Sequence, residues 1–165
     1  MKHLKLLEIL VCTALLTACG PTVEEAIKYN DEIITKSEDL KNKMITLKDS
    51  HDNFNGDQTE KAYSDAMAAV KDGLDLLNKM EPFDKDSTLR NAAIGYFKIC
   101  EAVLSNEHRR LIDLMKLPDE KYGDAEVAEY ASLRDESDKK VNLEMAKLLK
   151  VQQEFAKKHN FKLEE

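Results

Sequence analysis

The chain has 165 residues, a formal net charge of −7 and 35% charged side chains. This acidic balance argues against a general nucleic-acid binder, because the phosphate backbone of DNA or RNA attracts basic surfaces. Five glycines, three prolines and no tryptophan favour long solvated helices over a β-rich domain, and the length corresponds to a single domain.

The first residues have the layout of a secretory signal peptide. Met1–Lys5 carry positive charge, and Leu6–Leu16 are apolar except for Glu8. This apolar stretch is shorter than the roughly 20 residues that a membrane-spanning helix needs. We therefore expect the segment to direct export and then to be removed.

A cysteine motif follows the apolar stretch. The sequence Leu16-Thr17-Ala18-Cys19 resembles the lipobox of bacterial lipoproteins, in which an apolar residue and then small residues precede the cysteine that becomes acylated. Cys12 does not fit this pattern, because the bulky Val11 stands where a small residue is required.

The resemblance to lipoproteins implies a domain organisation and a location. It implies a signal peptide at 1–18, a lipidated Cys19 with a short tether at 19–22, and a folded domain at 23–165. Several acyl chains on one cysteine make attachment to a membrane effectively permanent. Gly20, in place of aspartate, implies the outer membrane of the cell envelope, with the domain facing the periplasm or the cell surface.

The mature chain, 165 residues less 18, has 147 residues and stays acidic. Lys2, Lys5 and Glu8 leave with the signal peptide, so 23 of 25 basic and 31 of 32 acidic side chains remain. Because Cys19 is blocked, Cys100 has no partner for a disulfide within the mature chain. We therefore expect stability to come from packing.

The first two helices are predicted from capping signals and from an apolar period of three to four residues. Thr22 and Glu25 form a capping box before the first helix, which is predicted to end near Ser50. Asp57 and Glu60 form a second capping box, and Pro82 stops the second helix. The predicted buried stripes are Ile33, Ser37, Leu40, Met44 and Leu47, then Ala62, Ala66, Ala69, Gly73, Leu76 and Met80.

Two further helices follow. The third is predicted to begin after Asp86 or Ser87 and to end before Pro118. The fourth is predicted to begin at Asp124 and to run to about Lys158, with Asn160 as a left-handed cap. Their predicted stripes are Leu89, Ala93, Tyr96, Cys100, Val103, Leu111 and Leu114, then Val127, Ala131, Val141, Met145, Leu148 and Phe155.

These helices predict the fold class. Short connections between long helices force neighbouring helices to run antiparallel. We therefore predict an all-α domain with the topology of an antiparallel up-down-up-down four-helix bundle.

A polar group is predicted inside this bundle. Glu107 interrupts the apolar stripe of the third helix, and the middle of the fourth is polar. Because Glu107 and Arg134 lie at similar distances on either side of the turn near Asp119, we expect them to pair, with His108 and Asp138 joining them. Two interpretations stay open. The group is either an ion-pair cluster that fixes helix register or a polar interior site for a small ligand between helices three and four.

Two aromatic residues suggest a partner surface. Phe54 and Tyr122 fall in the two connections predicted at the end of the bundle away from the lipid, among acidic residues. Exposed rings in one patch would favour a protein partner in the envelope. The alternative is that each ring packs against its own loop.

The metal and haem sites that helical bundles often contain require residue spacings that this sequence does not have. There is no Glu-x-x-His pair for a di-iron site and no Cys-x-x-Cys-His motif for covalent haem. Aligning Gly56 with the obligatory glycine of a calcium loop places His51 and Ala62 at ligand positions. No Ser-His-Asp pattern or glycine-rich phosphate loop is present either. We therefore predict no catalytic site, no metal and no cofactor.

Two short stretches carry a second resemblance. Tyr29–Ile34, with the sequence YNDEII, and Ala92–Phe97, with the sequence AAIGYF, are similar to stretches in uncharacterised small helical surface lipoproteins of the Bacteroidetes type. That resemblance implies a helical envelope lipoprotein and supplies no catalytic residues. We therefore predict a non-enzymatic interaction or structural module, anchored to a membrane through Cys19. The alternative is a small-ligand-binding bundle.

Overall fold

The helices form over nearly the spans predicted from the sequence. The computed structural model describes residues 20–52 and 56–163. Its α-helices are α1 (Val23–Asp52), α2 (Gly56–Lys79), α3 (Thr88–Val103), α4 (Arg109–Met115) and α5 (Asp124–Lys158). A π-helical segment, Leu104–His108, joins α3 to α4 without a break, so α3, this segment and α4 form one third helix. The described residues thus form four helices and no β-strand, which confirms the all-α class.

Some predicted features lie outside the described residues. These are the signal peptide at 1–18, the lipidated Cys19 and the loop residue Phe54. Among the helices that the structure does describe, none combines the length and the apolarity needed to cross a bilayer.

Local hydrogen bonds fix the ends of α1 and α5. The Thr22 N–H donates to Glu25 Oε2 over 2.7 Å, and the Glu25 N–H donates to Thr22 Oγ1 over 3.2 Å, which confirms the predicted capping box. After α5, Asn160 has a φ of 58°, and the Phe161 N–H donates to the Ala156 carbonyl over 3.1 Å. Asn160 is therefore the left-handed cap that the sequence predicts.

The apolar stripes of α1 and of the third helix are buried as predicted. In α1 the stripe also extends in both directions, to Asn30 before it and to His51 after it, and both are buried. The buried residues predicted for these two helices are Ile33, Ser37, Leu40, Met44, Leu47, Leu89, Ala93, Tyr96, Cys100, Val103, Leu111 and Leu114. Burial of this apolar area is the main stabilising contribution available to the chain.

Small residues of α2 allow it to approach α3 closely. Ala62, Ala66 and Ala69 are buried. A Cβ built on Gly73 would lie 1.9 Å from the Phe97 ring, so only glycine leaves room for that fully buried side chain. Leu77 is fully buried, whereas Leu76 and Met80, which were predicted for the stripe, are half-buried.

The first turns of α5 pack less than predicted. Val127 is 53% exposed and Ala131 is exposed, so the prediction that they are buried is wrong. Asp52, the last residue of α1, pairs with Arg134 of α5, and the turns of α5 before Arg134 therefore extend past the end of α1. Later residues of the stripe are buried, as with Leu148 and Phe155, or half-buried, as with Val141 and Met145.

Some pairs of helices pack more closely than others. α1 lies along α2, α3 lies along α5, and α2 also packs against α3. α1 and α5 approach each other at few positions. This loosely packed α1–α5 junction contains both polar side chains and a cavity, described next.

Candidate functional site

A polar cluster lies where the end of α1, the π-helical segment and the middle of α5 meet. We use this name for Lys48, His51, His108, Arg134, Ser137 and Asp138. The two histidines and Ser137 are buried, with 1%, 2% and 2% of their surface exposed. The π-helical segment explains the position of His108, because the extra residue in its turn brings Glu107 and His108 both to the buried side.

The two histidines contact each other inside this cluster. Their ring centroids are 5.3 Å apart in an edge-to-face arrangement. His108 Nε2 lies 3.1 Å from Ser137 Oγ, while His51 Nε2 and His108 Nδ1 have no hydrogen-bond partner among the described residues. Burial lowers the pKa of His51 to about 4. Burial, with a smaller contribution from neighbouring His51, lowers the pKa of His108 to about 3. Both rings are therefore neutral at pH 7.

Two ion pairs connect α1 to α5 at the edge of the polar cluster. Arg134 Nη1 donates to Asp52 Oδ1 over 2.5 Å, and Lys48 Nζ donates to Asp138 Oδ1 over 2.7 Å. The Asp52 hydrogen bond is also the main reason why the pKa of Arg134 is raised. These pairs are partly exposed, so each contributes only a little to stability, about 1 kcal/mol or less.

The predicted pairing of Glu107 with Arg134 is wrong. The Glu107 carboxylate accepts a hydrogen bond from Lys140, and Arg134 binds Asp52 of α1. The physical reason is the register between the third helix and α5. Glu107 and Lys140 are nearly the same number of residues from Gly123 along the sequence. Residues of the third helix therefore pair with residues of α5 that are equally far from Gly123, and not equally far from Asp119. His108 and Asp138 do lie in one cluster with Arg134, as predicted.

The side chains of the polar cluster leave no space between them for a water molecule. Within residues 20–52 and 56–163, no group of three histidine, cysteine, aspartate or glutamate side chains is arranged to hold a metal ion. Buried polar groups that make specific pairs and leave no room for a ligand favour the interpretation that this cluster fixes helix register.

A cavity of about 210 Å³ opens between α1 and α5 and borders the polar cluster. Its apolar wall is formed by Met44 and Ile45 of α1 and by Val141 and Met145 of α5, and Tyr96 of α3 closes the inner side. The remaining lining residues are Lys41, Lys48, Ser137, Asp138 and Asn142. Because α1 and α5 pack loosely here, the cavity is a direct consequence of how the helices are arranged.

Tyr96 contributes a buried hydroxyl beside this cavity. Its side chain is fully buried. Its hydroxyl has no oxygen or nitrogen partner among the residues that the structure describes, and its polar neighbour is the Cys100 thiol. Burial raises the pKa of this phenol well above its usual range. The nearby Cys100 is also fully buried, and burial raises the pKa of its thiol to about 12. Cys100 is therefore an unreactive packing residue.

Sequence reasoning missed His51 and the cavity. The predicted end of α1 near Ser50 leaves His51 in the following connection. His51 nevertheless lies four residues after Leu47, so the spacing of the α1 stripe indicates a buried side chain at this position. The cavity has no comparable signal, because it depends on the distance between two helices that are far apart in sequence. Of the two residues predicted to form a partner surface, Tyr122 is half-buried and Phe54 lies outside the described residues.

Comparison with known proteins gives no family assignment. No protein-family model, no curated protein and no solved structure matches the chain.

Proposed function

We propose that this chain is a lipoprotein of the bacterial cell envelope and that its helical domain is a non-enzymatic interaction or structural module. In this proposal the signal peptide at 1–18 is removed, Cys19 is acylated, and the domain stays at the outer membrane. The observation that carries the proposal is the sequence Leu16-Thr17-Ala18-Cys19 after a basic and then apolar segment. It is supported by α1 beginning at Val23, which leaves only a short tether after the cysteine.

Membrane attachment is tested by removing the acylated cysteine. We expect Cys19→Ala to abolish incorporation of labelled palmitate and to move the mature domain out of the membrane fraction, because the acyl chains supply the attachment. Cys12→Ala is the matched control, since it removes a cysteine of the same segment that does not fit the lipobox. Continued palmitate labelling and membrane fractionation of Cys19→Ala would refute the lipoprotein proposal.

We also propose that the four helices run up, down, up and down. Contacts between the helices support this arrangement. Tyr29, near the start of α1, and Phe155, near the end of α5, have ring centroids 5.9 Å apart, whereas Asp52 at the end of α1 pairs with Arg134. Arg110 of α4 pairs with Glu129 in the first turns of α5 over 2.7 Å, as expected for an antiparallel pair with a short connection.

Distances between spin labels test this arrangement. We expect labels at Glu24 and Lys157 to be about 20 Å apart or closer, and labels at Glu24 and Ala128 to be about 40 Å apart, because α5 rises about 1.5 Å per residue. All three positions are exposed, and cysteines introduced there are labelled in preference to the buried Cys100. Equal distances for the two pairs, measured by pulsed electron paramagnetic resonance, would contradict the antiparallel arrangement.

The partner surface that we propose is the end of the domain away from Cys19, with Phe54 and Tyr122. Support comes from Glu60 in the first turns of α2, which binds both Arg109 and Lys116. This contact brings the start of α2 next to the connection between α4 and α5, in which Tyr122 lies. The alternative, a ligand held inside the polar cluster between the third helix and α5, is disfavoured because that cluster has no room for a water molecule.

A further inference from the structure

The cavity between α1 and α5 has the size and lining of a small-molecule site. At about 210 Å³ it is larger than an engineered protein cavity of about 150 Å³ that binds benzene. Four of its lining side chains, Met44, Ile45, Val141 and Met145, are apolar and belong to two different helices. Burying a ligand against them would remove apolar surface from water on both sides of the junction.

Tyr96, at the inner end of the cavity, carries a hydroxyl without a strong hydrogen-bond partner. This hydroxyl is buried and has no oxygen or nitrogen partner among the described residues, and its polar neighbour is the Cys100 thiol, a weak acceptor. An unsatisfied buried hydroxyl costs about 1–3 kcal/mol, so each one in a native structure needs an explanation. A ligand oxygen that accepts a hydrogen bond from Tyr96 would remove this cost in the bound state.

Access to that hydroxyl depends on the side chains of the wall. Because the Tyr96 oxygen has almost no surface that water can reach, a ligand contacts it only if a neighbouring side chain moves. Met44 and Met145 are suited to such a movement, since methionine is unbranched, has three rotatable bonds and adapts to ligands of different shape. The loose contact between α1 and α5 makes the movement easier.

We propose that the α1–α5 cavity binds a small, mostly apolar molecule that carries one hydrogen-bond-accepting oxygen, with the apolar part between Met44 and Met145 and the oxygen on the Tyr96 hydroxyl. A phenol with one ring has this chemistry and this size. The site adjoins the polar cluster, with which it shares Lys48, Ser137 and Asp138. It is distinct from the proposed partner surface and goes beyond the role of an envelope interaction module.

Two ligands that differ only in the oxygen test the proposal. We would titrate the full chain, incorporated in lipid nanodiscs and labelled at its methionine methyl groups, with para-cresol and with toluene, and follow the methyl signals by nuclear magnetic resonance. We expect para-cresol to shift the signals of Met44 and Met145 to saturation. Met67 does not line the cavity, and its signal should stay in place and serve as an internal control.

The variant Tyr96→Phe removes the hydroxyl and keeps the ring. We expect it to weaken para-cresol binding roughly tenfold, the equivalent of one buried hydrogen bond, and to leave toluene binding nearly unchanged. The comparison of two ligands in two proteins cancels their different partitioning into the lipid. We expect folding to be preserved in this variant, because the lost hydroxyl has only the weakly accepting Cys100 thiol as a polar neighbour.

A second pair of variants tests the location. Val141→Phe fills the cavity and should abolish the shifts of Met44 and Met145, whereas Val127→Phe, on an exposed part of the same helix, should leave binding intact. The proposal is overturned if para-cresol gives no saturable shift, if Tyr96→Phe weakens both ligands equally, or if binding persists in Val141→Phe. Membrane attachment is tested separately by the Cys19 variant. A chain that is not attached to a membrane is titrated in solution, with the same expected and overturning outcomes.

Discussion

The variant Gly73→Ala is expected to destabilise the domain by about 1–3 kcal/mol, the usual range for an overpacked core. In an ordinary helix interior the same change stabilises by up to about 1 kcal/mol, because alanine has the higher helix propensity. Here the new Cβ would lie 1.9 Å from a ring carbon of Phe97. Phe97 is fully buried, so its ring has no free space to move into and α2 must shift away from α3.

Two further variants make this prediction specific. Gly95 also lies within a helix, but a Cβ there would be 3.7 Å from the nearest atom, Oε2 of Glu144, which is an ordinary contact. We expect Gly95→Ala to raise the free energy of unfolding by about 0.5–1 kcal/mol. Combining Gly73→Ala with Phe97→Leu should recover part of the loss, a coupling that a double-mutant cycle detects. If denaturant titrations show Gly73→Ala to be as stabilising as Gly95→Ala, the close contact between α2 and Phe97 does not exist in solution.

Acidification is expected to weaken the fold well above the pH at which carboxylates titrate. His51 and His108 have pKa values of about 4 and about 3 in the folded chain, against about 6.5 when unfolded. Between pH 6.5 and 4 the unfolded chain therefore binds protons that the folded chain does not, and the free energy of unfolding falls as the pH falls. From pH 6.5 to 5 the loss is about 2 kcal/mol for each histidine, since one pKa unit corresponds to about 1.4 kcal/mol.

The charged neighbours of the histidines agree with this direction. Lys48 and Arg134 repel a protonated ring in the polar cluster, while Asp52 and Asp138 offset part of that repulsion. Carboxylates that are stabilised in the fold, such as Glu60 with a pKa of about 2, lose their contribution mainly below pH 5. The window from pH 7 to 5 therefore isolates the histidines.

Replacement of both histidines provides the check. Denaturant unfolding at several pH values between 7 and 5 should show a steep loss of stability in the wild-type chain. A variant carrying His51→Gln and His108→Gln should have a much flatter profile over this range, whatever its overall stability. The remaining slope comes from His159, whose pKa is also lowered by burial. An equally steep profile in the double variant would show that other groups are responsible.

The sequence predicted the helices better than it predicted their contacts. The start of α1 and the end of α5 follow from local signals that operate within a few residues, the capping box of Thr22 with Glu25 and the cap at Asn160. The start of α2 does not follow from the predicted capping box, because α2 begins at Gly56, before Asp57. The buried stripe of α1 follows from the spacing of its apolar residues, which recur every three to four positions. The exposure of Val127 was missed because it depends on where a different helix ends, which no local pattern encodes.

In the polar cluster, too, the buried positions were predicted from the sequence and the partners were not. Polar residues that interrupt the apolar spacing predict buried polar side chains in the third helix and in α5, and His108 and Ser137 are buried. The partners were wrong, because the pairing of Glu107 with Lys140 depends on the register set around Gly123. The π-helical segment that turns both Glu107 and His108 inward has no recognisable sequence signal. The cavity was missed because it depends on spacing between α1 and α5.

The ion pairs between α1 and α5 join residues that are 82 and 90 positions apart in the chain. The contacts of α1 with α2, and of the third helix with α5, span shorter loops, and chain entropy opposes the closing of longer loops more strongly. We therefore expect the pair of α1 with α2 and the pair of the third helix with α5 to form early in folding and the α1–α5 junction to close last. The same junction is then the first part of the native domain to open in local fluctuations, and it is the part that holds the cavity.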